Sequence, residues 1–245
     1  MKRFVLSLII ALCASVAVAH TDGIYNPIAN SVGDTQGIDS NAATTANLTS
    51  LNGSAAFSNA GGTSVPITLS TTKTNDVIIV FSQGNGNVAT GISDTAGLTW
   101  TQIGTQTGTM AAWSAFSAGI LTGDVITITY AGVGSSFASL IAFGINGAPS
   151  SGFLDPNGAL PGTTNTISTP LTLTTSNAKD FLFAAYSAND GTTMTAGAGW
   201  TAVPGTGGNF MFAEYQIVTT TQSALAASLT AGTIKNGIGS AVKSQ

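Results

Sequence analysis

From residue 65 onward, short runs rich in Val, Ile, Thr, Phe and Tyr alternate with turns of Gly, Asn, Asp and Ser, roughly one turn every ten residues. β-branched and aromatic side chains suit a pleated, half-buried surface, and the punctuation by turn residues is that of a sandwich rather than of helices. The pattern predicts strands over 65–69, 77–82, 99–103, 110–116, 125–130 and 137–145, then over 170–174, 181–186, 200–203, 210–218, 225–229 and 238–242. No stretch carries a helical period.

The two groups of strands repeat one another. Val65-Pro66-Ile67-Thr68-Leu69 recurs as Thr169-Pro170-Leu171-Thr172-Leu173, each followed by an Asp (Asp76, Asp180) that opens an apolar run. Thr95-Ala96-Gly97-Leu98-Thr99-Trp100-Thr101 returns as Thr195-Ala196-Gly197-Ala198-Gly199-Trp200-Thr201, and Ala131-Gly132 as Ala231-Gly232. Each half supplies about five or six strands, a number that suits one sheet of a sandwich. The expected fold is therefore all-β, a jelly-roll-like antiparallel β-sandwich over 63–245 built from pseudo-repeats at about 65–146 and 169–244. Two small tandem domains are the alternative. A Trp that leaves a Gly turn can drop a large ring between the sheets, so Trp100 and Trp200 are read as core anchors. Asp76 and Asp180 are read as turn residues bonded to local backbone, and Pro66 and Pro170 as strand starts or edges.

The start of the chain differs. Lys2 and Arg3, an apolar stretch over 4–14 and Ala17-Val18-Ala19 form a cleavable signal peptide, 1–19, which predicts a secreted, extracellular, cell-surface or periplasmic protein. The apolar run is too short to span a bilayer, so no membrane insertion is expected after cleavage. Leu12 before Cys13 fits a lipoprotein signal poorly. Residues 20–62, rich in Asn, Ala, Thr, Ser and Gly, read as a flexible low-complexity arm or linker.

Removing the signal leaves no cysteine and no arginine, which excludes disulfides and thiolate chemistry. Four lysines then stand against ten acidic residues, a net charge of −6, and give nucleic acid no basic patch to bind. Only 7% of the chain is charged. A surface of hydroxyls and amides suits self-association, contact with other surface proteins, or a glycan.

The order of motifs resembles a group of bacterial and phage-encoded surface or virion β-sandwich proteins: Val77-Ile78-Ile79-Val80, then Asp94-Thr95-Ala96-Gly97-x-x-Trp100-Thr101, an aromatic strand at Trp113, and Gly123-Asp124-x-Ile126-Thr127-Ile128-Thr129. The likeness covers about three quarters of the chain. It implies a structural or adhesive role and carries over no functional residue.

Candidate chemistry is sparse. His20, the expected mature N-terminus, resembles half of the copper-binding histidine brace of lytic polysaccharide monooxygenases, but the chain has no second histidine. A Ser-His-Asp triad would have to use that same residue. Glu214 and Asp190 could form the carboxylate pair of a glycosidase, although an edge or solvent-facing Glu214 is the simpler expectation. The turns Ser93-Asp94, Asp155-Pro156-Asn157-Gly158 and Asn189-Asp190-Gly191 hold oxygens suited to calcium, yet none forms a dense acidic loop. Sugar binding by a sandwich needs exposed aromatic rings, and Trp113 and Tyr215, at roughly matching places in the two halves, are the ligand-binding candidates. No cofactor and no catalytic residue is expected. The sequence thus favours a non-enzymatic structural or adhesive protein of a cell surface, extracellular assembly or virion, with a carbohydrate-binding module as the alternative.

Overall fold

The computed structural model describes residues 49–58, 61–84, 86–131, 138–165, 171–188, 193–206, 210–227 and 234–245. The expected signal peptide, His20, most of the expected arm and the turn 189–191 lie outside the described residues. The first repeat contributes β1 (Ser50–Ser58), β2 (Ser64–Leu69), β3 (Asp76–Gly84), β4 (Ala89–Ser93), β5 (Thr101–Gln102), β6 (Met110–Ser117), β7 (Asp124–Tyr130) and β8 (Ala138–Asn146). The second contributes β9 (Gly162–Thr164), β10 (Leu171–Leu173), β11 (Asp180–Ala188), β12 (Thr201–Ala202), β13 (Met211–Val218), β14 (Leu225–Ala227) and β15 (Ile234–Lys243). The fold is all-β and antiparallel, as the alternation of apolar runs and turns predicts.

Each repeat builds two sheets. The larger runs β1-β8-β3-β6-β5 in the first repeat and β9-β15-β11-β13-β12 in the second, the same order with equivalent strands; the smaller are β2-β7-β4 and β10-β14. This differs from the expectation that each half supplies one sheet of a single sandwich. The reason lies in the runs Val77–Phe81 and Phe181–Ala185, which are buried on both faces and so need a cover on each side. The odd-numbered side chains Val77, Ile79, Phe81, Phe143, Phe181 and Phe183 meet between the two large sheets. Ile78 and Val80 instead face Ile126 and Ile128 of the first small sheet, and Leu182 and Ala184 face Leu171 and Leu173 of the second. The result is four layers, small-large-large-small, around three apolar interiors. At the centre Phe183 meets Phe81 and Phe143 edge-on, with ring centroids 5.9 and 6.1 Å apart.

The two repeats meet in a pseudo-twofold manner: β8 lies against β13, and the equivalent β15 against β6. The Ser54 hydroxyl of β1 donates to Pro204 O beside the second repeat's β12 (2.9 Å), while Pro161 beside β9 covers Gly104, next to the first repeat's β5.

The arm is shorter than its composition suggests. Residues 50–58 form β1, paired along its length with β8, with a bulge at Gly53 (φ 78°). Beside its ladder bonds and Leu51, which packs against the central interior, the strand has one polar anchor. Asn52 Nδ2 donates to Asp76 Oδ2 (2.7 Å), and its Oδ1 accepts from the Thr72 amide and hydroxyl (3.1 and 2.8 Å).

Candidate functional site

In the first repeat, β4 is the edge of the small sheet and β5 the edge of the large one, and the loop 94–100 bridges the gap between them. Two carboxylates fix that loop. Asp94 accepts the Leu98 amide (3.0 Å) and, through Oδ2, the Trp100 indole N–H at 2.6 Å. Asp124, at the head of β7, accepts the Thr95 amide and hydroxyl (3.0 and 2.8 Å) and the Ala96 amide (2.9 Å). Gly97 takes φ 76°, the left-handed conformation that lets the loop turn back. Held in this way, Trp100 stays half-buried at the flank. A cleft of about 560 Å³ opens there, lined by Ile92, Asp94, Leu98, Trp100, Gln102 and Trp113 among others.

Trp113, predicted as a surface ring, is only 5% exposed: it packs into the first repeat's interior and lines the cleft. Tyr215 is not its counterpart. Trp113 pairs with Val80 on β3, and the residue in that place on β13, paired with Ala184, is Glu214. Tyr215 faces the other way, toward the central interior, and stacks on Phe181 with centroids 4.9 Å apart and planes 8° apart. The structure therefore brings Trp113 together with Trp100, which sequence reasoning placed in the core, and leaves Tyr215 elsewhere.

In the second repeat the matching Trp is buried. Met194 replaces Asp94 and is buried, so the Trp200 indole has no carboxylate to hold it outward. With Glu214 and Ala184 in place of Trp113 and Val80, there is room inside, and Trp200, 7% exposed, fills it and donates its N–H to Ala226 O on β14 (3.2 Å). Leu225 stands where Asp124 anchors the first loop. Glu214, expected at an edge or in solvent, is fully buried; its Oε2 accepts the Gly197 amide (2.9 Å), while Oε1 has no hydrogen-bond partner. Burial pushes its carboxyl up to about 7 against the downward pull of the Gly197 amide.

The acids Asp155, Asp76 and Asp180 bond to the fold itself. Asp155 accepts the amides of Asn157 (2.8 Å), Ser176 (3.0 Å) and Asn177 (2.7 Å), so donors occupy the oxygens considered for calcium. Asp76 and Asp180, read as turn residues bonded to backbone, are buried strand heads bonded instead to amide side chains, Asn52 and Asn146 for the first and Asn177 for the second. Burial, reinforced by the neighbouring Asp155 carboxylate, pushes Asp180 up to about 6. Among the described residues no cluster of three His, Cys, Asp or Glu could hold a metal ion. Comparison of the chain with protein-family models, with curated proteins and with solved structures finds no match.

Proposed function

We propose that the chain is a secreted, non-enzymatic adhesive protein that holds a neutral saccharide in the flank cleft of its first repeat. The observation that carries this reading is the pair of indoles at the cleft, Trp100 fixed through its N–H by Asp94 and Trp113 packed against the interior. A pyranose ring presents a face of C–H bonds to an aromatic plane and a rim of hydroxyls to polar groups. The cleft offers both, the rings together with Asp94, Ser93 and Gln102. Ligand sites are commonly concave and mostly apolar, with a few placed polar groups. Asp94 gives the cleft a negative charge, which disfavours uronic or sialic acids and leaves neutral sugars. The signal peptide supports secretion. A non-catalytic role is supported by Asp155, whose carboxylate is taken up by backbone amides, and by the donors that engage one oxygen each of Asp180 and Glu214.

The test is retention of the mature protein on immobilised cellulose, mannan and chitin, beside a carboxymethylated cellulose. Retention on a neutral polymer, weakened about tenfold by Trp100→Ala in a variant that still unfolds in one cooperative transition, is the expected result; tenfold corresponds to about 1.4 kcal/mol of lost stacking. Retention indifferent to Trp100→Ala, or confined to the carboxymethylated polymer, would overturn the reading.

A further inference from the structure

The flank of the second repeat carries counterparts of β5, β6 and β7 and the same Thr-Ala-Gly loop as the cleft, with no counterpart of β4 among the described residues, and Trp200 occupies the space. We propose that this flank is a second, latent saccharide cleft, plugged by the Trp200 indole and latched by the buried Glu214 carboxyl. The identity of the ligand rests on the reading above; the latch does not. Its geometry is that of a carboxyl group held inside by a single donor. Glu214 is fully buried, Oε1 is orphaned, and the residues paired with it on both neighbouring strands are Ala184 and Ala202, which offer it nothing.

The titratable group that feels Glu214 is Tyr186 on β11, whose hydroxyl donates to Ala227 O and stays neutral. Among the described residues no charged side chain acts on Glu214 to stabilise an ionised form. A neutral Glu214 is compatible with the closed interior. An ionised one is an uncompensated buried charge, a costly state that water entry relieves. Water reaches it when the loop 194–200 lifts, which withdraws the indole and opens the flank. In the first repeat the same loop is tied by Asp94 and Asp124, and Trp113 stands where Glu214 does, so deprotonation has nothing to release there.

Hydrogen exchange read by mass spectrometry on the mature protein tests the latch, with rates corrected for the intrinsic effect of pH. Between pH 5.5 and 8.5 the peptide spanning 194–203 should lose at least tenfold in protection while the one spanning 94–103 does not, and Glu214→Gln should keep the second loop protected throughout. Equal protection at both pH values, or the same loss in Glu214→Gln, would overturn the latch. Titration with cellohexaose, mannohexaose and chitohexaose by calorimetry tests the cleft. One bound hexasaccharide at pH 5.5 and two at pH 8.5 is the expected result, and a lifted loop with still only one bound would overturn the second cleft. A lifted loop with none bound at either pH would overturn the saccharide reading and support the latch by itself.

Discussion

A carboxylate and an amide of the same shape separate the roles of Asp94. The ionised side chain accepts from the Leu98 amide and the Trp100 indole together. An asparagine keeps one oxygen and turns an N–H₂ toward the other donor. Asp94→Asn should therefore lose one of the two bonds, at a cost of about 1–2 kcal/mol, with loosening of the indole seen as altered near-ultraviolet circular dichroism and weaker saccharide retention. Unchanged stability and an unchanged aromatic spectrum would show that Asp94 does not position the ring. At this scale the sequence makes the tryptophans visible but not their fates. Trp100 and Trp200 stand in repeats alike enough to imply one role, and what divides them lies outside the repeated words: Asp94 against Met194, Trp113 against Glu214, Asp124 against Leu225. The first pair adjoins the repeated Thr-Ala-Gly, but the other two can be matched only once strand register is fixed, and register depends on ladder pairing that periodicity does not encode.

Elements rich in large apolar residues announce themselves. β3, β6, β8, β11 and β13 coincide closely with runs readable in the sequence, because their side chains supply the burial that makes them strands. β1, β4 and β9 do not. Ser50–Ser58 and Gly162–Thr164 are edge strands of small and polar residues that borrow stability from the full-length neighbours β8 and β15. Composition reads β1 as linker, because it cannot see a neighbour's unpaired edge. Asn52 is the side chain that ties β1 to the strand head Asp76 and to Thr72. Asn52→Ala removes one donor from a buried carboxylate and leaves the Thr72 amide without its acceptor. A loss of about 2–3 kcal/mol in urea unfolding is expected, together with faster hydrogen exchange across β1 but not across β9. A loss below about 0.5 kcal/mol would mean that β1 is held by its ladder alone.

The buried acids of the whole molecule set its response to pH, and their sign is opposite to the common one. A salt-bridged carboxylate has its affinity for protons lowered by folding and stabilises a protein at neutral pH. Here the cationic side chains are few, and burial instead raises proton affinity at Asp76, takes Asp180 from 3.8 to about 6, and takes Glu214 from 4.5 to about 7. Below pH 4 both folded and unfolded states hold these protons. As pH rises from about 4 to 7 the unfolded chain releases them first, so it gains on the folded state throughout that window; above it the difference is constant. Each unit of difference is about 1.4 kcal/mol, which makes the contribution of Asp180 and Glu214 on the order of 3 kcal/mol each. For a chain of this size 1 kcal/mol moves the melting temperature by about 2–4 °C. The protein should therefore melt at least about 5 °C lower at pH 8 than at pH 5, and Glu214→Gln should flatten the upper part of that fall, between pH 5.5 and 7.5, while leaving the part due to Asp180. A melting temperature that rises from pH 5 to pH 8 would show that these carboxyl groups are compensated in the folded state by something other than their present neighbours. The second-repeat latch would then lose its driving force, because it uses the same free energy that ionised Glu214 withdraws from the fold.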